Sequence, residues 1–272
     1  MAAFAVSSMF FHEYTTAEIF RFVRQSGLDG IEFWLETPHF WLRGLPVEDV
    51  ITCRKADPAI SLNIHAPILD LNPCSINPEV AAVSIRYAVQ AVAIAEKLEA
   101  PVLTLHPGRR TAKRPPGAAD QARFSRYLAA VREAAAGKSV RIAMENMEPA
   151  VNSFLSTPER MRQLLDEEPW LSFTLDTSHA LAASATEPGR FIRLCGDRLA
   201  NVHISRKEGK RLHLPLENSA GMAGIMADLK NAGYQGSLTL EIDDLNFDRP
   251  LSPDEKIAVL SRDCRFMHEC MD

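Results

Sequence analysis

Short apolar and β-branched runs alternate with longer amphipathic stretches along the whole chain. The runs cover residues 4–8, 30–35, 61–65, 102–106, 140–145, 172–176, 200–204 and 237–242. Their length and apolar content predict buried strands. Between them the sequence signals helices after Thr15 or Thr16, after Pro46, after Asn77-Pro78, over 118–136, after Thr157-Pro158, over 190–194, over 219–232 and after Ser252-Pro253. A Ser, Thr or Asn followed by Pro at the first helical position is a capped helix start. Eight strand–helix repeats, each about 30 to 40 residues, predict an α/β fold, a single (β/α)8 TIM barrel spanning 1–272 as one domain. An open doubly wound sheet is the less economical arrangement, and no GxGxxG or GxxxxGK[ST] supports its nucleotide-binding form.

Composition narrows the classes. With 272 residues, 46% hydrophobic and 24% charged, the chain is long and apolar enough for a sizeable core, which excludes disorder and small disulfide scaffolds. A net charge of -5 argues against a protein that coats nucleic acid non-specifically. Five widely spaced cysteines without a CxxC read as reduced thiols in a cytoplasmic protein, not as a disulfide framework or a cysteine-based zinc site. The apolar start MAAFAVSSMFF lacks a basic n-region and runs into His12 and Glu13, so it reads as a first buried strand and no membrane association is expected.

The informative pattern lies at the ends of the strands. His65, His106, Glu145, Asp176, His203 and Glu241 each fall at or beside the end of a predicted strand. In a barrel those ends share one mouth, where imidazoles and carboxylates supply ligands for a divalent cation. Any one of them alone reads equally well as a hydrogen-bonded core residue or a loop partner. Together they are different, because burying several carboxylates without a cation is costly. His179, three residues after Asp176, and His213 in a following loop extend the set.

On these motifs, LNIHAP, LTLHPG, AMEN, TLDTSH, NVHIS and GYQGSLTLEI, the chain resembles the xylose isomerase-like TIM barrels over nearly its whole length. That group includes tagatose and psicose epimerases, hydroxypyruvate isomerase and the endonuclease IV type of AP endonuclease. The resemblance implies that Glu145, Asp176, His203 and Glu241 hold one shared metal, with Glu145 and Glu241 also serving as the catalytic acid/base pair. It implies that His179 contacts substrate in the epimerases and metal in the endonucleases. It assigns His65 and His106 to a second metal bridged by Glu145, and His213 to a third-metal site. Arg211 departs from the endonuclease pattern, which has an Asp there; an arginine cannot ligate, which counts against the third metal and against nuclease activity.

Two basic loops leave the same mouth, RRTAKR with Arg109, Arg110, Lys113 and Arg114, and RKEGKR with Arg206, Lys207, Lys210 and Arg211. A charge run is as often only a solvated face, but two at one mouth favour a small anionic sugar-type substrate. Arg211, His213 and His179 are expected to touch it. Trp34 and, beyond it, Phe40 and Trp41 could cover the apolar face of a sugar, or could simply pack the loop or a subunit interface. The leading expectation is a metal-dependent sugar or sugar phosphate isomerase/epimerase working by proton transfer through an enediolate. Its cofactor would be one or two divalent ions per chain, Mn, Zn, Mg or Co. The alternatives are a metal-dependent phosphodiesterase acting on abasic DNA, and a metal-stabilised barrel that only binds a ligand. A homo-oligomer is left open.

Overall fold

The computed structural model describes residues 2–36 and 46–271. Phe40 and Trp41 lie outside the described residues. Eight parallel strands close into a barrel: β1 (Ala3–Ser7), β2 (Gly30–Trp34), β3 (Ser61–His65), β4 (Val102–Leu105), β5 (Arg141–Glu145), β6 (Ser172–Asp176), β7 (Leu199–Ile204) and β10 (Ser237–Leu240). Each of the eight runs read from sequence supplies one of these strands, and the order around the ring follows the chain, with β10 closing on β1. The chain is a (β/α)8 TIM barrel.

The helices begin where the sequence places caps. Thr15 and Glu18 form a reciprocal capping box at the start of Thr16–Ser26. Asn77 caps Pro78–Lys97, and Thr157 caps Pro158–Glu167, each with Pro at the first turn. Two elements go beyond the sequence reading. A seven-residue helix, Thr177–Ala183, starts directly on Asp176, and the helix expected over 190–194 is longer, Glu187–Cys195. The basic segment after β7 is not an open loop. It is an antiparallel hairpin of β8 (Arg206–Glu208) and β9 (Arg211–Leu214), turned at Gly209 with φ +58° and standing apart from the barrel sheet. Arg206–Glu208 is charged throughout, and the polar/apolar alternation of Arg211–Leu214 runs for only four residues, too short to be read as a strand.

Side chains alternate across each strand, and the two faces divide by polarity. Phe4, Val6, Ile31, Phe33, Leu62, Ile64, Leu103, Leu105, Phe173 and Leu175 belong to one apolar core shared with the helices. The opposite parity is polar. Asn201 on β7 bonds Glu32 on β2 at 2.7 Å, and Thr104 on β4 meets Thr174 on β6 at 3.0 Å. These pairs are not on neighbouring strands, so their bonds cross the barrel interior. Val102, Ala143 and Ala200 form a small apolar cluster separate from that core.

The last helix, Pro253–Met271, is fastened to the first turn of the barrel by a buried lysine. Lys256 Nζ donates to the Phe10 carbonyl and to Asp244 Oδ2 at 3.1 Å, and lies 4.6 Å from the centre of the Phe10 ring. Burial of an ammonium is tolerable only with such partners. Lys256→Met keeps the apolar stem but orphans the Phe10 carbonyl. It should lower stability by about 1–3 kcal/mol, read as a lower urea midpoint with an unchanged slope.

Candidate metal centre

The barrel brings its strand-end ligands to one place because register fixes their height. Asp176 is opposite His203 across β6 and β7, and Glu145 is opposite Thr174 at the end of β5. One donor atom each from Glu145, Asp176, His203 and Glu241 lies within 4.8 Å of all the others, and all four residues are buried. His203 Nδ1 stands 3.1 Å from Glu241 Oε2 and 3.5 Å from Glu145 Oε2. Three buried atoms of this group, Asp176 Oδ2, His203 Nδ1 and Glu241 Oε2, make no well-directed hydrogen bond among the described residues, although two of them are within ion-pair distance of each other. Buried polar atoms left together without such bonds are the pattern a missing cation produces. Three carboxylates and an imidazole form a donor set that a divalent ion of the first transition row or magnesium accepts.

Further donors surround this core. His65 Nε2 and His106 Nε2 approach Glu145 Oε2 at 3.4 and 2.9 Å, making a second group that shares Glu145. The Nδ1 of His65 bonds the Ala66 carbonyl at 2.8 Å, which turns Nε2 toward Glu145. Asp176, His179 and His213 form a third group, with His213 Nδ1 3.8 Å from Asp176 Oδ2 and 3.5 Å from Glu241 Oε2. His213 reaches it from β9 with its backbone at φ +55°, a left-handed conformation uncommon for a residue with a side chain.

The electrostatics of this group follow from burial working against charge pairing. Burial disfavours the Glu145 carboxylate, yet the rings of His106 and His203 outweigh it and hold its pKa well below the usual range. Glu241 is likewise held low by His203 and His213 against its burial. At Asp176 burial wins, and its pKa is pushed up to about 6. Burial acts to lower His179, but Asp176 and Glu145 reverse it and raise the ring to about 10. The neighbouring carboxylates likewise raise His65 and His203 against their burial, while burial lowers His106, so protons on His65, His179 and His203 offset the carboxylates and a metal would compete with protons in this group.

Several residues that hold this arrangement went unassigned at the sequence level. Glu32, fully buried in the middle of β2, accepts from His203 Nε2 at 2.8 Å, from Asn201 at 2.7 Å and from Thr239 at 3.2 Å. A carboxylate inside an otherwise apolar strand was the available signal. Asn146 bonds both the backbone N–H and the carbonyl of Asp176, at 2.8 and 3.0 Å, and its own carbonyl meets His179 Nδ1 at 3.0 Å. Asp176 Oδ1 caps the following helix by accepting from the His179 N–H at 2.6 Å, which leaves Oδ2 for the cluster.

The remaining expected residues divide. Trp34 is buried with its ring 4.8 Å from that of His65, so it walls the histidine. Arg211 is exposed on the hairpin and paired with Glu208 at 3.0 Å. A cavity of about 750 Å³ opens beside the cluster, with His106 and His179 in its wall. Pro67, Ile68, Leu71 and Met147 give it apolar surface, and Arg109 and Lys113 reach it from the loop after β4.

Comparison with known proteins bears on the fold and the family. The uncharacterized protein MJ1188 of Methanocaldococcus jannaschii is 30% identical over 270 residues, 98% of each chain. The structure of an L-ribulose 3-epimerase matches 100% of this chain and 95% of its own with a TM-score of 0.79 at 21% identity. A D-allulose 3-epimerase from Methylomonas sp., in complex with D-allulose, matches 98% of this chain and 96% of its own with a TM-score of 0.78 at 16% identity. At these identities the two structures establish shared architecture. The sequence profile described as xylose isomerase-like TIM barrel spans residues 15–268, and with the closed barrel it shows that the chain belongs to that family.

Proposed function

We propose that this chain is a single-domain, cytoplasmic, metal-dependent isomerase or epimerase of a sugar-type hydroxy-carbonyl compound. The observation that carries the proposal is the buried set of Glu145, Asp176, His203 and Glu241, with three donor atoms that make no well-directed hydrogen bond, next to a cavity large enough for a small polar substrate. The fold shared with the ribulose and allulose 3-epimerases supports the reaction class. A divalent ion held by these residues, Mn, Zn, Mg or Co, would polarise adjacent substrate oxygens and acidify the C–H between them.

The protein's own part is proton transfer and positioning. Glu145, at the end of β5, and Glu241, directly after β10, approach His203 Nδ1 from opposite sides of β7, with β6 between β5 and β7. Both carboxylates are held ionised at neutral pH, so either can accept a proton. One removes the substrate proton on one face, and the other takes a proton from water in the adjoining cavity and gives it to the opposite face, after which the first returns its proton to water. His179, buried at the cavity wall, is placed to orient a substrate oxygen. Glu32 fixes the His203 ring so that Nδ1 faces the cluster, the carboxylate–histidine arrangement that aligns a metal ligand from behind.

A second reading, a metal-dependent phosphodiesterase, is favoured by one observation, the extra donor groups His65–His106–Glu145 and Asp176–His179–His213. More than one ion would suit hydrolysis at a phosphate. Metal content separates the two readings.

Glu145→Gln and Glu241→Gln should each lower turnover of a ketose panel by at least about 10²-fold; near wild-type rates with full metal content would rule out the two-carboxylate mechanism. Glu32→Gln should weaken metal affinity by about 10- to 100-fold while excess metal restores most turnover, as read by a metal titration followed with activity. Mass spectrometry of the native protein should count one ion per chain for the epimerase and two for the hydrolase. If a second ion is present, the double variant His65→Ala, His106→Ala should remove it, and an unchanged count would assign both rings to packing or substrate contacts.

A further inference from the structure

We propose that the loop after β4 carries an anion-recognition subsite, in which Arg109 and Lys113 hold a phosphate group on the substrate seated in the cavity beside the metal centre. The sugar body of that substrate rests on the function proposed above; the anion subsite stands on its own geometry.

The two basic segments at the mouth are not equivalent. On the hairpin, Arg206 is taken up by Glu217 at 2.5 Å and Glu208 at 3.5 Å, and Arg211 by Glu208 at 3.0 Å. On the β4 loop, Arg110 turns to the Pro115 carbonyl at 2.6 Å and to Asp120 at 3.6 Å. Lys207, Lys210 and Arg114 are outside the cavity lining; of the basic residues in the two segments, Arg109 and Lys113 line the cavity, and among the described residues neither is paired with a carboxylate. They are free to bind a ligand.

The root of Arg109 is fixed although its side chain is exposed. Asn72 accepts from the Arg109 N–H at 3.0 Å and donates to the Arg109 carbonyl at 2.9 Å. On the other side Arg109 forms an antiparallel bridge with Ser153, and Asn152 exchanges two bonds with the Arg110 backbone, at 3.0 and 2.8 Å. Gly108 makes this docking possible. Its φ is +74°, and a Cβ there would meet Asn72 Oδ1 at 2.8 Å and Pro73 at 3.0 Å. A solvated charge run needs no such bracing, whereas a ligand-binding guanidinium gains specificity from it.

The rest of the lining selects the ligand class. Asp70 and Glu148 stand in the same wall as the two cations. Carboxylates accept from hydroxyls and repel additional phosphates, so the cavity suits one phosphate on a polyhydroxylated body and disfavours a polyanion.

The test is calorimetric titration of manganese-loaded protein with inorganic phosphate, D-fructose 6-phosphate and D-fructose. The double variant Arg109→Ala, Lys113→Ala should lose at least tenfold in affinity for both phosphate probes, with metal content and D-fructose binding within twofold of wild type. Arg211→Ala should leave phosphate affinity within twofold. Phosphate binding that is absent from the wild type, survives the double variant or depends on Arg211 would overturn the subsite, even if a sugar is turned over. If no sugar is bound or converted but phosphate still binds through Arg109 and Lys113, the subsite holds and the epimerase reading fails.

Discussion

The burial of like charges in a small volume is the constraint on which this structure turns. Glu145, Asp176 and Glu241 share the barrel mouth with His203, all out of contact with solvent. Three carboxylates so placed cannot all remain ionised without positive charge among them. His65, His179 and His203 supply it, and burial outweighs that charge at Asp176 while it prevails at Glu145 and Glu241. Any cation that enters takes over a role the fold already fills with protons.

That constraint explains why the barrel interior is polar where many barrels are filled with branched aliphatics. Glu32 sits beneath His203, and its own charge must be satisfied, so Asn201 and Thr239 converge on it. Thr104 and Thr174 continue the network toward β4 and β6. The site is thus held from below by hydrogen bonds that pin ring orientation, and the apolar energy of the fold is left to the strand–helix interface.

Most of the fold was legible because barrel strands buried on both sides read as short apolar runs, and because the helix starts carry Thr, Asn and Pro signals. The gathering of ionisable side chains at the mouth was legible for a related reason: His65, Glu145 and Asp176 are the last residues of their strands, where a change from apolar to ionisable is conspicuous. Glu32 was not, since it lies mid-strand and its meaning depends on β7, which is far along the chain. The hairpin was hidden by charge, and with it the fact that Arg206 and Arg211 are paired; a run of basic residues does not reveal which of them already has a carboxylate. The short helix after Asp176 was hidden because one side chain both caps it and faces the cluster.

The β8–β9 hairpin has a consequence for how such proteins diversify. It grows from the end of β7 yet takes no part in the closed sheet, so its length and composition can change without shifting the register of any barrel strand. It nonetheless delivers His213 to the third donor group. Exchange of this one excursion can therefore add or remove an imidazole at the mouth while Glu145, Asp176, His203 and Glu241 stay in place on the barrel, so the outer edge of the cluster can vary independently of the fold.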